Sequence, residues 1–328
     1  MAKILAISAT DVKKLTSMRD IIEAVEEAFR ALGKGACKLA PVILTMIDRH
    51  DGEHEIKSGY VEEYCIGAKI ITFYAQNRAR RNLPALSGII VLNDLEDGRP
   101  LAVIDGTYVT AARTGAAGAV AAKYLARKDS ENVAIIGAGT QGRYQLAALN
   151  EIFKIASVQV YDISAEHAAA YAKEMTAQYR LKVEQAESAS QAVADADIIV
   201  TATPSTKAII MKEWIREGTH INAIGADAPG KQELDPAIAE GAKVVVDSIP
   251  QCIDRGEIQT AIRLGRIKKE DIHAELSDII LGRKLGRSND KEVTLFDATG
   301  LAVQDITTAY RIYQLAKEQG LGAKVDLS

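Results

Sequence analysis

The stretch Val133-Ala134-Ile135-Ile136-Gly137-Ala138-Gly139-Thr140-Gln141-Gly142 reads as a buried strand running straight into a Gly-x-Gly-x-x-Gly turn. Leu146 and Leu149 follow at helical spacing, so the turn opens a helix. Each glycine has its own task. Gly137 permits the tight turn, Gly139 lets the backbone approach a pyrophosphate, and Gly142 lets helix and strand pack closely. The helix's free N–H groups and its positive dipole end then face the phosphates. The next strand, 158–161, ends at Asp162, placed to accept bonds from adenosine ribose hydroxyls. Asp162 would repel a 2′-phosphate, which favours NAD over NADP; its other reading is a cap on the helix after Ile163-Ser164.

Outward from this motif, compact apolar strands at 133–136, 158–161, 198–201, 220–224, 244–246 and 293–296 alternate with helical segments. Near-continuous apolar strands between helices predict a parallel sheet covered on both faces, an α/β domain. Ligands of such sheets sit beyond the strands' carboxyl ends. The polar turn Thr201-Ala202-Thr203-Pro204-Ser205-Thr206 is therefore expected to contact the cofactor through Thr201, Thr203 and Ser205.

The first hundred residues read differently. Ser17 is an N-cap with Asp20 at N3, Ile21, Val25, Ala28 and Leu32 share one helical face, and Gly33 is expected to stop that helix. Short β-rich runs follow at 41–47, 54–60, 66–73, 88–92 and 101–104, the last after the turn Glu96-Asp97-Gly98-Arg99, giving a mixed α+β unit. Residues 110–126 form an alanine-rich helix, and a final helix at 302–317 comes too late for the parallel sheet and is expected to pack back on the N-terminal unit. One domain is thus inserted within another, with boundaries at 1–120 plus 303–328 and at 121–302.

Composition narrows the function. The 328 residues carry 40 basic and 44 acidic side chains, a net charge of −4 that lacks the basic footprint of a nucleic-acid binder. Cys37, Cys65 and Cys252 are too few and too scattered for a disulfide framework or zinc site, and five dispersed histidines form no metal motif. The N-terminal Met1-Ala2-Lys3-Ile4-Leu5-Ala6 has no signal-peptide h-region, and no apolar run approaches the roughly 18 residues of a membrane span. A cytoplasmic, reduced protein with no membrane partner is expected.

Candidate chemistry falls on four charged residues. Asp227 follows the strand at 220–224, at the same carboxyl edge as the cofactor turn, where a carboxylate can act as acid or base on an amine or imine nitrogen; its structural alternative is an Asx-turn or cap before Asp235-Pro236. Lys69, sharing a strand face with Ile71 and Phe73, is either at an exposed edge or held by a buried anion. Arg113 is the only charge between Asp105 and Lys123 and needs a fixed partner, either Asp105 or a ligand carboxylate. Lys57 is a third cation, more readily read as a solvated strand residue.

Taken in order, these motifs resemble the ornithine cyclodeaminase/mu-crystallin family along nearly the whole chain. The resemblance rests on Gly67-Ala68-Lys69-Ile70, Leu101 to Asp105, Arg113-Thr114-Gly115-Ala116-Ala117, the glycine turn, Thr201 to Thr206, Gly225 to Asp235, and Phe296 to Asp305. It implies a Rossmann dinucleotide-binding domain inserted in an α+β substrate and dimerisation domain, a homodimer, and hydride transfer between a nicotinamide and a Cα–N bond. Members include alanine dehydrogenases, cyclodeaminases, and reductases of ketimines, pyrroline-2-carboxylate and iminosuccinate; mu-crystallin-like members bind a small ligand with little turnover. By matching, Lys69 and Arg113 would bind the substrate carboxylate and polarise its nitrogen, Asp227 would shuttle the proton or activate water, and Thr114, Gln141 and Asp162 would hold the cofactor. The substrate expected is a small amino, imino or keto acid. One departure stands out: many members carry an arginine shortly after a proline where this chain reads Pro41-Val42-Ile43-Leu44. Lys57, in Lys57-Ser58-Gly59, is the expected replacement, as in an iminosuccinate-reductase-like branch, with Arg49 a second candidate.

Overall fold

The computed structural model describes residues 4–326, apart from the side chains of Arg78 and Ala79; Met1-Ala2-Lys3, which open the stretch read above for a leader, lie outside that range. The chain divides into two compact units, Met1–Arg113 with Leu301–Ser328, and Thr114–Gly300. Among the described residues, no helix is long and apolar enough to cross a membrane.

The first unit begins with β1 (Ile4–Ile7), α1 (Ala9–Leu15) and α2 (Met18–Lys34). Ser17 caps α2 as its sequence predicts, in a reciprocal box with Asp20. The helix runs past Gly33 and stops at Gly35, whose φ of 72° is the left-handed conformation a C-terminal cap needs. Strands β2 (Cys37–Leu39), β3 (Ile43–Ile47), β4 (Gly52–Val61) and β5 (Cys65–Tyr74) follow; then come α3 (Asn77–Arg81), β6 (Leu86–Asn93) and β7 (Pro100–Asp105). Helix α4 (Gly106–Leu125) starts directly after β7, earlier than predicted, because the Tyr108 N–H donates to Asp105 Oδ1 at 2.7 Å. Asp105 therefore caps a helix and is not the partner of Arg113. The break between the two units falls within α4, after Arg113.

The second unit contains β8 (Asn132–Ile136), α5 (Thr140–Ile152), β9 (Ser157–Tyr161), α6 (Ala165–Tyr179), β10 (Lys182–Gln185), α7 (Ala189–Val193), β11 (Ile198–Thr201) and β12 (Thr206–Ile210). It continues with β13 (His220–Ala223), β14 (Gln232–Leu234), α8 (Ala237–Gly241), β15 (Lys243–Val246), α9 (Ile249–Arg255), α10 (Gln259–Arg263), β16 (Ala274–Glu275), α11 (Leu276–Ile280) and β17 (Thr294–Asp297). Its main sheet is parallel, in the order β10-β9-β8-β11-β13-β17-β15-β16. This is the doubly wound α/β sheet expected. β8 pairs with β9 on one side and β11 on the other, so the chain reverses its winding there and opens a crevice beyond the strand ends. The turn after β11 is shorter than the sequence suggests: Thr206 already belongs to β12, which pairs with β14 outside the main sheet.

The chain then returns to the first unit through α12 (Ala302–Gln319) and β18 (Ala323–Val325). The first sheet runs β18-β1-β7-β6-β5-β4-β2, with β3 also on β4. Helix α12 lies on β4, β5 and β6 and beside α2, as expected for a helix outside the parallel sheet. Gly67 makes this close approach possible, since a Cβ there would stand 2.8 Å from Ile306 Cγ1. Two residues further along β5, on the same face, is Lys69.

Candidate functional site

In the first unit, β4 and β5 are paired so that Lys57 stands directly opposite Lys69. Both face inward, at 4% and 1% exposure, so Lys57 is not a solvated strand residue. Two opposed lysines repel, and burial adds to the cost, so counter-charges are required. They come from two places. Glu55, two residues before Lys57 on β4, lies 3.4 Å from its ammonium. Asp305, in the first turn of α12 and fully buried, lies 3.1 Å from Lys69 Nζ and accepts from Arg113 Nε at 2.8 Å. Arg113 also donates to Gln304 Oε1 at 3.0 Å. Arg113 thus has a fixed structural partner, as its surroundings demanded, but it is Asp305.

The electrostatics follow from this arrangement. Burial, the neighbouring Arg113 and the opposed Lys57 push the Lys69 ammonium down to about 7, against the pull of Asp305. Burial opposes ionisation of Asp305, but Arg113, Lys69 and Lys57 outweigh it and hold its carboxyl below the usual range. The positive end of α12 favours the same charged form. Lys57, Lys69 and Arg113 therefore face Asp305 and Glu55: three cations against two carboxylates, with one lysine able to gain or lose a proton near neutrality. Such a cluster can take the carboxylate of a ligand and exchange a proton beside it. Arg49 sits exposed on the short turn 48–50 and is the weaker candidate to replace the arginine missing after Pro41.

The glycine turn lies in the second unit. Gly137 has a φ of 109°, and a Cβ on it would stand 2.6 Å from the Ala202 carbonyl oxygen. A Cβ on Gly142 would collide with the Gly137 carbonyl, whereas one on Gly139 would point into open space. Gly137 and Gly142 thus serve the tight turn and the close packing read from the sequence, and the space over Gly139 is open. The turn is tied to both neighbouring strands: Gly137 N–H donates to Tyr161 O, and Ala202 N–H donates to Ile136 O, each at 2.9 Å. Thr140 is exposed at the start of α5, and Gln141 follows with a buried Oε1 that has no partner among the described residues. Asp162 Oδ2 accepts from Ala138 N–H and Oδ1 from Ser164 N–H, both at 2.9 Å, while Ser164 is the N-cap of α6. Asp162 therefore braces the glycine turn and the next helix, and each oxygen keeps a lone pair for a ribose hydroxyl. The carbonyl of Thr114 accepts from Gln145 Nε2 at 2.9 Å, which fastens α4 to α5. An open cradle over Gly139, the N-terminus of α5 and an acid at the end of β9 fit a dinucleotide with free ribose hydroxyls.

Beyond β11, Thr201 is fully buried and Thr203 and Ser205 are half-buried. Of the three, Thr203 approaches the glycine turn: a Cβ on Gly137 would lie 3.0 Å from its Cγ2. Beyond β13, Asp227 is exposed and paired with Lys231 at 2.5 Å. The N-cap of α8 is Pro236 rather than Asp227, and Asp235 holds that turn by accepting from Ala237 N–H.

Sequence reasoning missed Asp305, Gln304 and Glu55 as partners of the cations, and a buried set of acids in the second unit: Glu233, Glu257, Asp247 and Asp297. Acids on short elements read as solvated. Only the demand of two buried cations for an anion could have pointed to Asp305.

Comparison with known proteins follows the same outline. The family model described as "Ornithine cyclodeaminase/mu-crystallin family" matches residues 3–320. An alanine dehydrogenase of Archaeoglobus fulgidus is 41% identical over 324 residues, 98% of each chain. Among solved structures, the Δ1-pyrroline-2-carboxylate reductase of Thermococcus litoralis in complex with NADH and L-proline superposes with a TM-score of 0.95, at 40% identity, covering 98% of this chain and 100% of that one. An archaeal alanine dehydrogenase dimer with bound NAD superposes with a TM-score of 0.94, also at 40% identity, covering 99% and 100%.

Proposed function

The chain belongs to the ornithine cyclodeaminase/mu-crystallin family, and from that premise we propose that it is an NAD-dependent oxidoreductase acting on the C–N bond of a small amino acid and its imino or keto counterpart. The observation that carries this reading is Lys69, buried opposite Lys57 and sharing Asp305 with Arg113. Alanine and pyrroline-2-carboxylate, named for the two relatives, each carry a carboxylate beside a C–N bond, the chemistry such a cluster accommodates.

In this reading the first unit binds substrate and the second binds NAD. When bound, the nicotinamide supplies or takes up the hydride. Arg113 and Lys57 hold the substrate carboxylate, Lys57 in place of the arginine missing after Pro41. Lys69 polarises the nitrogen and exchanges a proton close to neutral pH, consistent with its depressed ammonium. Asp227 moves the proton on the substrate nitrogen, or activates water where a keto acid is formed. Gly137, Gly139, Thr140, Gln141, Gly142, Asp162, Thr114 and the turn with Thr201, Thr203 and Ser205 hold the dinucleotide.

The test follows NADH absorbance with purified protein, first with pyruvate plus ammonia and then with cyclic and dicarboxylic imines. Oxidation with pyruvate assigns alanine dehydrogenase chemistry; oxidation only with another imine keeps the reaction and replaces the substrate. Conversion of ornithine to proline without net NADH change would assign a cyclodeaminase instead. Silence with all of them overturns the oxidoreductase reading in favour of a binding protein. In the active case, Asp227→Ala is expected to lower kcat by about 10²–10⁴-fold with NADH affinity preserved; unaltered kcat would remove Asp227 from the chemistry.

We assign the outer face of the first sheet to a homodimer contact. Ile43, Ile56, Ile70 and Ile89 are successive cross-strand partners over β3, β4, β5 and β6, on the face opposite Lys69, and Ile43, Ile66 and Ile89 are 55%, 39% and 42% exposed. A continuous apolar row on a water-facing sheet is characteristic of an interaction surface. Ile89→Glu is expected to convert a dimer into a monomer in light scattering; a monomeric native protein would remove the assignment. A cytoplasmic location belongs to the same reading, supported by three unpaired cysteines.

A further inference from the structure

Glu233 is fully buried on β14, yet its carboxylate bridges two loops at the open edge of the parallel sheet. Oε1 accepts from the Thr203 N–H at 2.6 Å, in the turn after β11, and Oε2 accepts from the Gly225 N–H at 2.9 Å, in the turn after β13. These turns are also packed without slack. A Cβ on Gly225 would collide with the Thr203 carbonyl and stand 2.5 Å from Glu233 Oε2. On its other side, Thr203 lies against Gly137. The contacts thus run from the glycine turn through Thr203 to Gly225, two residues before Asp227, with Glu233 fastening the last two.

We propose that Glu233 is a positioning residue for the dinucleotide site, holding the turn that abuts Gly137 and the turn that carries Asp227 at one fixed spacing. The inference rests on the dinucleotide reading above and extends it to a residue that touches neither cofactor nor substrate.

The surroundings indicate that this arrangement costs stability. Burial pushes the Glu233 carboxyl up to about 7 against the pull of its bonds to Thr203 and Gly225. Glu257 accepts from the N–H groups of Glu233 and Leu234, and burial together with the charge of Glu233 raises it well above the carboxylate range. A neutral side chain at 233 relieves that repulsion. In exchange only one N–H loses its acceptor, in a turn that is half-buried, so its cost offsets part of that relief. Loop spacing and stability are therefore expected to respond in opposite directions, as in sites where function is maintained at the expense of the fold.

The test compares full-length native protein with Glu233→Gln and Gly225→Ala, measuring NADH affinity by its fluorescence, the melting temperature without NADH, and KM for NADH against kcat. In Glu233→Gln an amide NH₂ faces one of the two loop N–H groups, donor against donor, so one tie is lost while side-chain volume is kept. Its NADH dissociation constant and KM are expected to rise roughly ten-fold, with the melting temperature equal to or above that of the native protein. Gly225→Ala separates the same loops by contact alone and is expected to weaken NADH similarly. Unchanged affinity in both variants overturns the proposal. So does weakened affinity in Glu233→Gln accompanied by a matching fall in its melting temperature, which marks an ordinary core residue. Native protein that binds no NADH overturns the dinucleotide reading itself, and this inference with it.

Discussion

Lys69→Met is expected to reduce kcat/KM by about 10³-fold or more while leaving NADH affinity unchanged. Methionine fills nearly the same volume, so the substitution removes a charge and a proton without opening a cavity. Asp305 keeps its bond from Arg113, so no carboxylate is stranded. Replacing a buried charge by an apolar side chain of similar size is often neutral for stability or favourable, and the melting temperature is expected to hold. The pH profile sharpens the test. The Lys69 ammonium titrates at about 7, so below that pH the cluster presents its full positive charge to a carboxylate, and above it the charge is lost. Affinity for pyruvate without ammonia, which removes the ammonium equilibrium from the measurement, is therefore expected to weaken as pH rises through about 7. In Lys69→Met that dependence should flatten. Wild-type turnover in the variant, or an unchanged profile, would show that Lys69 is a structural cation only.

Much of this was legible in the sequence because it depends on short-range pattern. The glycine turn declares itself within ten residues, since only glycine satisfies a positive φ at 137 and a collision with backbone at 142. Lys69 and Arg113 were also legible as anomalies, because a cation among apolar neighbours needs an anion. The identity of that anion was not legible. Asp305 is 192 residues from Arg113, and an acid in a helix's first turn is ordinarily explained by the helix dipole alone. Asp105, nearer in sequence, was the obvious candidate and proved to cap α4. Lys57 misled for a related reason: alternation along β4 fixes that residues 55 and 57 share a face, but not which face α12 covers. Gly33 and Gly35 show the limit at shorter range, where two glycines could each end α2 and only the backbone conformation selects one. Glu233 lies furthest from sequence reasoning, since its role depends on two turns brought together by strand order rather than by chain distance.

Asp305→Asn tests the other half of the cluster and is expected to be the more damaging change to the fold. Asparagine preserves shape and one acceptor but withdraws the carboxylate shared by two buried cations, leaving Lys69 and Arg113 uncompensated at 1% and 4% exposure. Breaking a buried pair from one side typically costs about 3–5 kcal/mol, which corresponds to a fall in melting temperature on the order of 10 °C. The loss should depend on pH in a defined direction. Lys69 can relieve the strain by giving up its proton, a step that becomes easier as pH rises, so the deficit is expected to be largest below about pH 7 and smaller above it. Arg113 cannot lose its proton, so part of the deficit should remain at every pH. The double variant Lys69→Met with Asp305→Asn then separates the two cations. If the lysine's uncompensated charge carries the cost, adding Lys69→Met restores much of the stability lost in Asp305→Asn, and the two substitutions are far from additive. Additive effects, or an Asp305→Asn protein that melts like the native one, would mean that Asp305 does not compensate Lys69, and the account of a lysine held near neutrality by a shared buried carboxylate would fall.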